Sequence, residues 1–130
     1  MCGRFVSPEE AEVERFWHLG RHNKRNPFAG SFNVFPTDTI QFLRLPSNSD
    51  EIELAAGRWG LVPHWWKEAK LPGKSFNARI EEAAVKPMWR DAWSRSRCLI
   101  PALGWYEWQP VEKIDPATGE VKAAKQPHFN

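Results

Sequence analysis

The sequence predicts an α+β fold dominated by antiparallel strands, and three observations predict it. Eleven Pro and eight Gly among 130 residues break the chain into short elements. Runs rich in β-branched and aromatic residues recur between turn-forming clusters. Helical spacing is confined to a few short stretches. The length suits one domain.

Ser7-Pro8-Glu9-Glu10 has the form of a helix start, with Ser7 as cap, Pro8 at the first helical position and Glu10 completing a capping box. Val13, Phe16 and Trp17 then share one helical face, and Gly20 is the expected stop. A polar loop leads to a strand over residues 31–36, ended by Pro36. Two more strands, 39–45 and 52–59, flank the turn-rich Pro46-Ser47-Asn48-Ser49-Asp50. After a long loop come short helices over 81–85 and 87–93. Strands are expected over 98–102 and 105–111, with a hairpin turn near Asp115-Pro116-Ala117-Thr118-Gly119 and a return over 120–124. Residues 125–130 read as the beginning of a further strand, so the chain is expected to be the N-terminal portion of a longer domain.

No stretch approaches the apolar length that spans a bilayer, and the first residues lack the apolar core of a signal peptide. A cytoplasmic protein is expected. Cys2 and Cys98 are too few for a disulfide scaffold. Cys98, in an apolar run, is expected to be buried and inert. His18 and His22 lie four apart, but Gly20 between them and the lack of a following Glu exclude a zinc-protease motif.

The net charge of +2 is unevenly spread. Residues 58–97 hold nine basic and four acidic side chains, net +5, and five of the eight Trp. Cations can track phosphates while flat rings stack on bases, at about 1–3 kcal/mol per base. The same composition also describes a Trp-rich core with a solvated basic rim.

Cys2 has distinctive chemistry if Met1 is removed. One residue then carries a free amine and a thiol on adjacent carbons. The amine, with a pKa of about 7.7–8, is partly neutral at physiological pH. It can attack an aldehyde to form an imine, and the thiol can close a five-membered thiazolidine ring with little further loss of entropy.

Four groups of residues, in order, carry a resemblance. These are Cys2-Gly3-Arg4-Phe5; Phe32-Asn33-Val34 with Pro36; Trp59-Gly60-Leu61-Val62-Pro63-His64-Trp65 followed by Asn77-Ala78-Arg79-Ile80-Glu81; and Arg97-Cys98-Leu99-Ile100-Pro101-Ala102 running into Gly104-Trp105-Tyr106-Glu107-Trp108. Together they resemble the SRAP family, the SOS response-associated peptidases, over essentially the whole chain. The resemblance implies a barrel-like core with short peripheral helices, and capture of abasic sites in single-stranded DNA by Cys2. It implies no metal or organic cofactor, a monomer away from membranes, and association with the nucleoid when bound to DNA. The alternatives are a thiol autopeptidase that removes its own Met1 and a non-covalent reader of single-stranded or modified DNA.

By the same resemblance, Cys2 is the nucleophile, while Asn77 and Glu107 complete the catalytic group. Arg4, Asn33 and Arg79 lie near the site, with Arg79 a phosphate contact. The Trp-rich block adds Trp65 and Trp66 as DNA-binding candidates. Taken without the resemblance, Asn77 reads as a turn or cap residue, Arg79 as an ion-pair partner of Glu81 or Glu82, and Glu107 as a strand carboxylate. The chain departs from the family pattern Arg-Tyr-Asn-(Val/Ile)-Ala-Pro at Ser31, Phe32 and Phe35. None of His18, His22, His64 or His128 stands in the family's His-x-Arg-Met-Pro context.

Overall fold

A computed structural model of the chain describes residues 3–19 and 28–130. The expected α+β class is found: the described residues form six strands in antiparallel pairs and three short helices. The first sheet has the order β2-β1-β5-β6 and is formed by β2 (Ser31–Val34), β1 (Arg4–Ser7), β5 (Gly104–Ile114) and β6 (Val121–Phe129). The second pairs β3 (Thr39–Arg44) with β4 (Glu53–Arg58). The helices are α1 (Glu10–Phe16), α2 (Ile80–Ala83) and α3 (Arg90–Arg95). Among the described residues, no helix is long and apolar enough to cross a membrane.

The expected barrel does not close among the described residues. A barrel needs every strand flanked on both sides, but β2 and β6 are the two edges of an open sheet. β1 pairs with β5 only at Arg4–Tyr106, Phe5–Trp105 and Val6–Gly104, whereas β5 continues to Ile114 with β6 as its partner. The distal part of the β5–β6 hairpin therefore extends past β1. Pro110 and Pro127 are tolerated in these long strands because each can turn its missing N–H toward an unpaired side.

The two sheets share an apolar cluster. Phe5 and Val34 from the first sheet pack with Ile40 of β3 and with Trp59 just after β4, and Phe76 adds a half-buried edge. A second cluster seats Val13 of α1 on Leu43 and Leu54, with Leu19 beside them. Strand β3 thus contributes to both clusters, Ile40 to one and Leu43, 2% exposed, to the other. Gln41, 1% exposed, has a polar role: its Nε2 donates to the Pro8 carbonyl at 2.6 Å and to Ser7 Oγ at 3.4 Å. This ties β3 to the end of β1.

These bonds also explain why the expected helix start is not used. Ser7 is a buried strand residue whose hydroxyl donates to the Pro8 carbonyl at 3.3 Å. Glu9 takes the cap position without a side-chain bond. Glu10 is buried, its Oε2 accepts from the Phe28 amide at 2.9 Å, and its own amide donates to the Phe28 carbonyl. Of the expected apolar face, only Val13 is buried; Phe16 is 77% exposed and Trp17 is also exposed. A two-turn helix brings only one residue of that face onto the β3–β4 sheet. The helix ends before Gly20, which lies outside the described residues. His18 adopts φ 52°, its amide donates to the Arg15 carbonyl and the Leu19 amide to the Glu14 carbonyl. This is the Schellman arrangement, with histidine where glycine is usual.

Elsewhere the strand expectations need adjustment. The strand expected over residues 98–102 contributes a single bridge, in which Leu99 and Leu43 exchange both backbone bonds at 2.8 and 2.9 Å. The expected return over 120–124 and the expected further strand over 125–130 are one continuous element, β6. At the start of β5, Gly104 lies against the Phe129 ring and the Asn130 carbonyl, so a Cβ there would collide with both. The hairpin turn is closed by Asp115. Its Oδ1 accepts from the Ala117 amide at 3.0 Å, its Oδ2 from Lys122 Nζ at 2.9 Å, and Gly119 takes φ 71°. The Lys122 bond, followed by the Ala117 amide, holds the Asp115 carboxyl below its usual pKa.

His18→Gly should raise stability by about 1 kcal/mol, because a left-handed non-glycine residue carries a cost of about 1–2 kcal/mol and glycine adds some unfolded-state entropy. Urea denaturation checks this. Because the Asp115 carboxyl is depressed, its stabilisation is complete above the unfolded pKa and lost as pH falls through the folded value. Asp115→Asn should therefore lower amide protection of Ala117 and Gly119 at pH 7, with the difference from wild type vanishing near pH 2 in hydrogen exchange.

Candidate functional site

Antiparallel partners share a face, so the β1–β5 register sorts the side chains of this region. Arg4 stands opposite Tyr106, and Phe5 opposite Trp105. Phe5 enters the core, so Arg4 and Tyr106 point to the other face. A cleft of about 680 Å³ opens there. Gly3, Arg4, Phe32, Asn33, Tyr106, Glu107, Trp108 and Pro127 line it. Three of the expected site residues, Arg4, Asn33 and Glu107, are thus brought together. Cys2 lies outside the described residues; Gly3, which follows it in the chain, is among the residues that line the cleft.

The walls of the cleft are fixed by specific contacts. Tyr106 donates its hydroxyl to the Phe32 carbonyl at 3.4 Å, and its ring lies 5.2 Å from that of Phe129. Trp108, 65% exposed, offers a large flat surface to solvent. The Arg4 guanidinium carbon sits 4.2 Å from the centre of the Phe35 ring. Glu107 is half-buried.

The other expected residues are placed elsewhere. Asn77 is half-buried and is not among the residues lining this cleft. Its segment is nevertheless anchored to the same core. The Ser75 carbonyl accepts from the Leu61 amide at 2.7 Å, and the Phe76 carbonyl from the Trp59 indole at 3.2 Å. Trp59 meets Phe76 edge-on at 6.0 Å and Phe5 at 5.1 Å. Arg79 occupies the cap position of α2 and is exposed. The ion pair of Glu82 is with Lys86 at 2.6 Å, and that bond, ahead of a weaker attraction from Arg79, lowers the Glu82 pKa.

The basic, Trp-rich block divides between core and surface. Trp59 is core. Trp65 is exposed and lines a separate cleft with His64, whose Nδ1 lies 3.6 Å from Asp91 Oδ2. Trp66 is half-buried and its indole donates to the Lys70 carbonyl at 3.0 Å. Trp89 and Trp93 line an apolar groove with Leu43 and Cys98. Cys98 is exposed, not buried as expected, because the segment joins β3 only through Leu99. The groove still desolvates its thiol enough to raise the pKa.

Tyr106, Trp108 and Phe35 add to the site residues expected from the sequence. Strand alternation could have placed Tyr106 and Trp108 together, since i and i+2 share a face. The Phe35–Arg4 contact joins residues far apart in the chain and leaves no local signal.

The polar and aromatic cleft thus stands at the first strand of an open antiparallel sheet. The family model for SOS response associated peptidase (SRAP) matches residues 1–130, so the chain belongs to that family. Among similar proteins is the abasic site processing protein YoqW of Bacillus subtilis, 35% identical over 120 residues, covering 91% of this chain and 51% of that protein. The abasic site processing protein YedK of Escherichia coli is 32% identical over 114 residues, 84% of this chain and 48% of that protein. The abasic site processing protein HMCES of Xenopus tropicalis is 30% identical over 131 residues, 84% of this chain and 39% of that protein. The chain spans about half the length of the bacterial relatives it matches. No solved structure matches the chain.

Proposed function

We propose that this protein captures abasic sites in single-stranded DNA through Cys2 and so shields the lesion in the DNA damage response. The observation that carries the reading is the cleft in which Gly3, the neighbour of Cys2, is joined by Arg4, Asn33 and Glu107. Membership of the SRAP family and the name shared by its relatives, abasic site processing protein, support it.

The chemistry runs as follows. With Met1 removed, the Cys2 amine attacks the aldehyde carbon of the ring-opened abasic sugar. The carbinolamine loses its hydroxyl as water, with Glu107 delivering the proton. The Cys2 thiol then adds to the imine carbon, and its proton ends on the ring nitrogen. One water is released for each thiazolidine formed. Asn77 holds the sugar or the adjacent backbone. Arg4, Asn33 and Arg79 bind the strand at its phosphates, and Trp65 and Trp66 offer stacking surfaces. Planar guanidinium groups suit phosphate, and indoles suit any base.

A second reading, autopeptidase action, is favoured by the description of the family as peptidases. Water adds across the Met1–Cys2 peptide bond and methionine leaves. This is compatible with capture, because it frees the amine that capture requires.

Incubation of the full chain with an abasic oligonucleotide should give a denaturation-resistant adduct that Cys2→Ala reduces to background; equal adduct from the two proteins overturns the proposal. Intact mass tests the second reading. Purified wild type should lose Met1, and Glu107→Gln should retain it when both are made without an added aminopeptidase.

A further inference from the structure

We infer that Phe35 is a positioning residue for Arg4, holding its guanidinium over the cleft so that its edge meets a nucleic-acid phosphate. The inference rests on the proposed binding of single-stranded DNA at this cleft.

Phe35 stands on a rigid mount. Its amide donates to Asp38 Oδ2 at 2.8 Å, and the Asp38 amide donates back to the Phe35 carbonyl at 3.1 Å. Pro36 and a left-handed Thr37, φ 83°, shape the turn between them. The turn is fastened to the core at Trp59: the Thr37 amide donates to the Trp59 carbonyl and the Trp59 amide to the Asp38 carbonyl, both at 2.8 Å. Phe35 is nevertheless 39% exposed, so its ring is neither a core filler nor a free surface group.

Arg4 comes from a different strand, its backbone fixed opposite Tyr106. The guanidinium carbon lies over the Phe35 ring, 4.2 Å from its centre. The ring quadrupole attracts the cation, while the five N–H donors remain groups that can bond a phosphate. A long, flexible side chain is thereby ordered before a ligand arrives, which lowers the entropy lost on binding. Arg4 lines the cleft together with Asn33, Tyr106 and Trp108. A phosphate beside the cation with a base over Trp108 is the ligand chemistry this arrangement fits.

The test is binding of the full chain to an unmodified single-stranded oligonucleotide over a range of salt, with Phe35→Leu, Phe35→Trp, Arg4→Ala and the Phe35→Leu/Arg4→Ala double variant. Phe35→Leu keeps apolar bulk but loses the π face, so affinity should fall about two- to fivefold, the size of an exposed cation–π contact. The slope of log affinity against log salt should lessen by up to about 0.7, the single-strand value for one phosphate contact. Phe35→Trp should bind as wild type. In the Arg4→Ala background, Phe35→Leu should cost nothing further. Wild-type affinity and slope in a folded Phe35→Leu protein overturn the inference. So does a loss that adds in full to that of Arg4→Ala, since Phe35 would then be stacking on a base by itself. Loss in Phe35→Trp equal to that in Phe35→Leu also overturns it. Failure of wild type to bind the oligonucleotide at all overturns the proposed function together with this inference, whereas binding that is indifferent to Phe35 overturns only the inference.

Discussion

The Trp59 indole holds the two sheets in register with the cleft. Phe5 meets it edge-on from β1, Phe76 meets it from the segment before Asn77, and Ile40 packs in the same cluster from β3. Its backbone fastens the turn that carries Phe35, and its indole N–H is satisfied by the Phe76 carbonyl. Edge-on aromatic pairs add about 0.5–1.5 kcal/mol each beyond the area they bury. Removing this ring would take the edge-on partner from Phe5 and Phe76 and the donor from the Phe76 carbonyl. The cleft is therefore a property of the core beneath it, not of the loops around it.

Much of this fold could be read from the sequence. Strands β2, β3 and β4 coincide with apolar runs between turn residues, and their ends agree within a residue or two. The failures have definite causes. Ser7-Pro8-Glu9-Glu10 has the form of a helix cap, but Ser7 is held in β1 by Gln41, a partner 34 residues away. Residues 98–102 have strand composition, yet only Leu99 finds a partner. Strand β6 runs further than its turn and proline signals suggest, because an edge strand tolerates Pro127. Helix α1 ends early at a histidine in a conformation that local pattern assigns to glycine.

The site was less legible than the fold. Spacing alone does not connect Arg4, Asn33 and Glu107; only the ordered set of motifs does, and the cleft then unites these three. Asn77 reaches the same core through Phe76 and Trp59, a route no periodicity encodes. The Trp-rich basic block proved to be two things at once. Trp59 is structural, Trp65 is exposed, and Trp89 and Trp93 face an apolar groove. Composition therefore pointed toward a surface that only part of the block supplies.

Gly104 gives the architecture a point of genetic fragility. The β5 backbone approaches the Phe129 ring and the Asn130 carbonyl so closely that even a methyl group at position 104 would pry the returning strand away. The Phe129 ring is also the neighbour of Tyr106, a wall of the cleft. A codon change at this position would thus disturb a wall of the cleft while leaving every side chain that lines it intact.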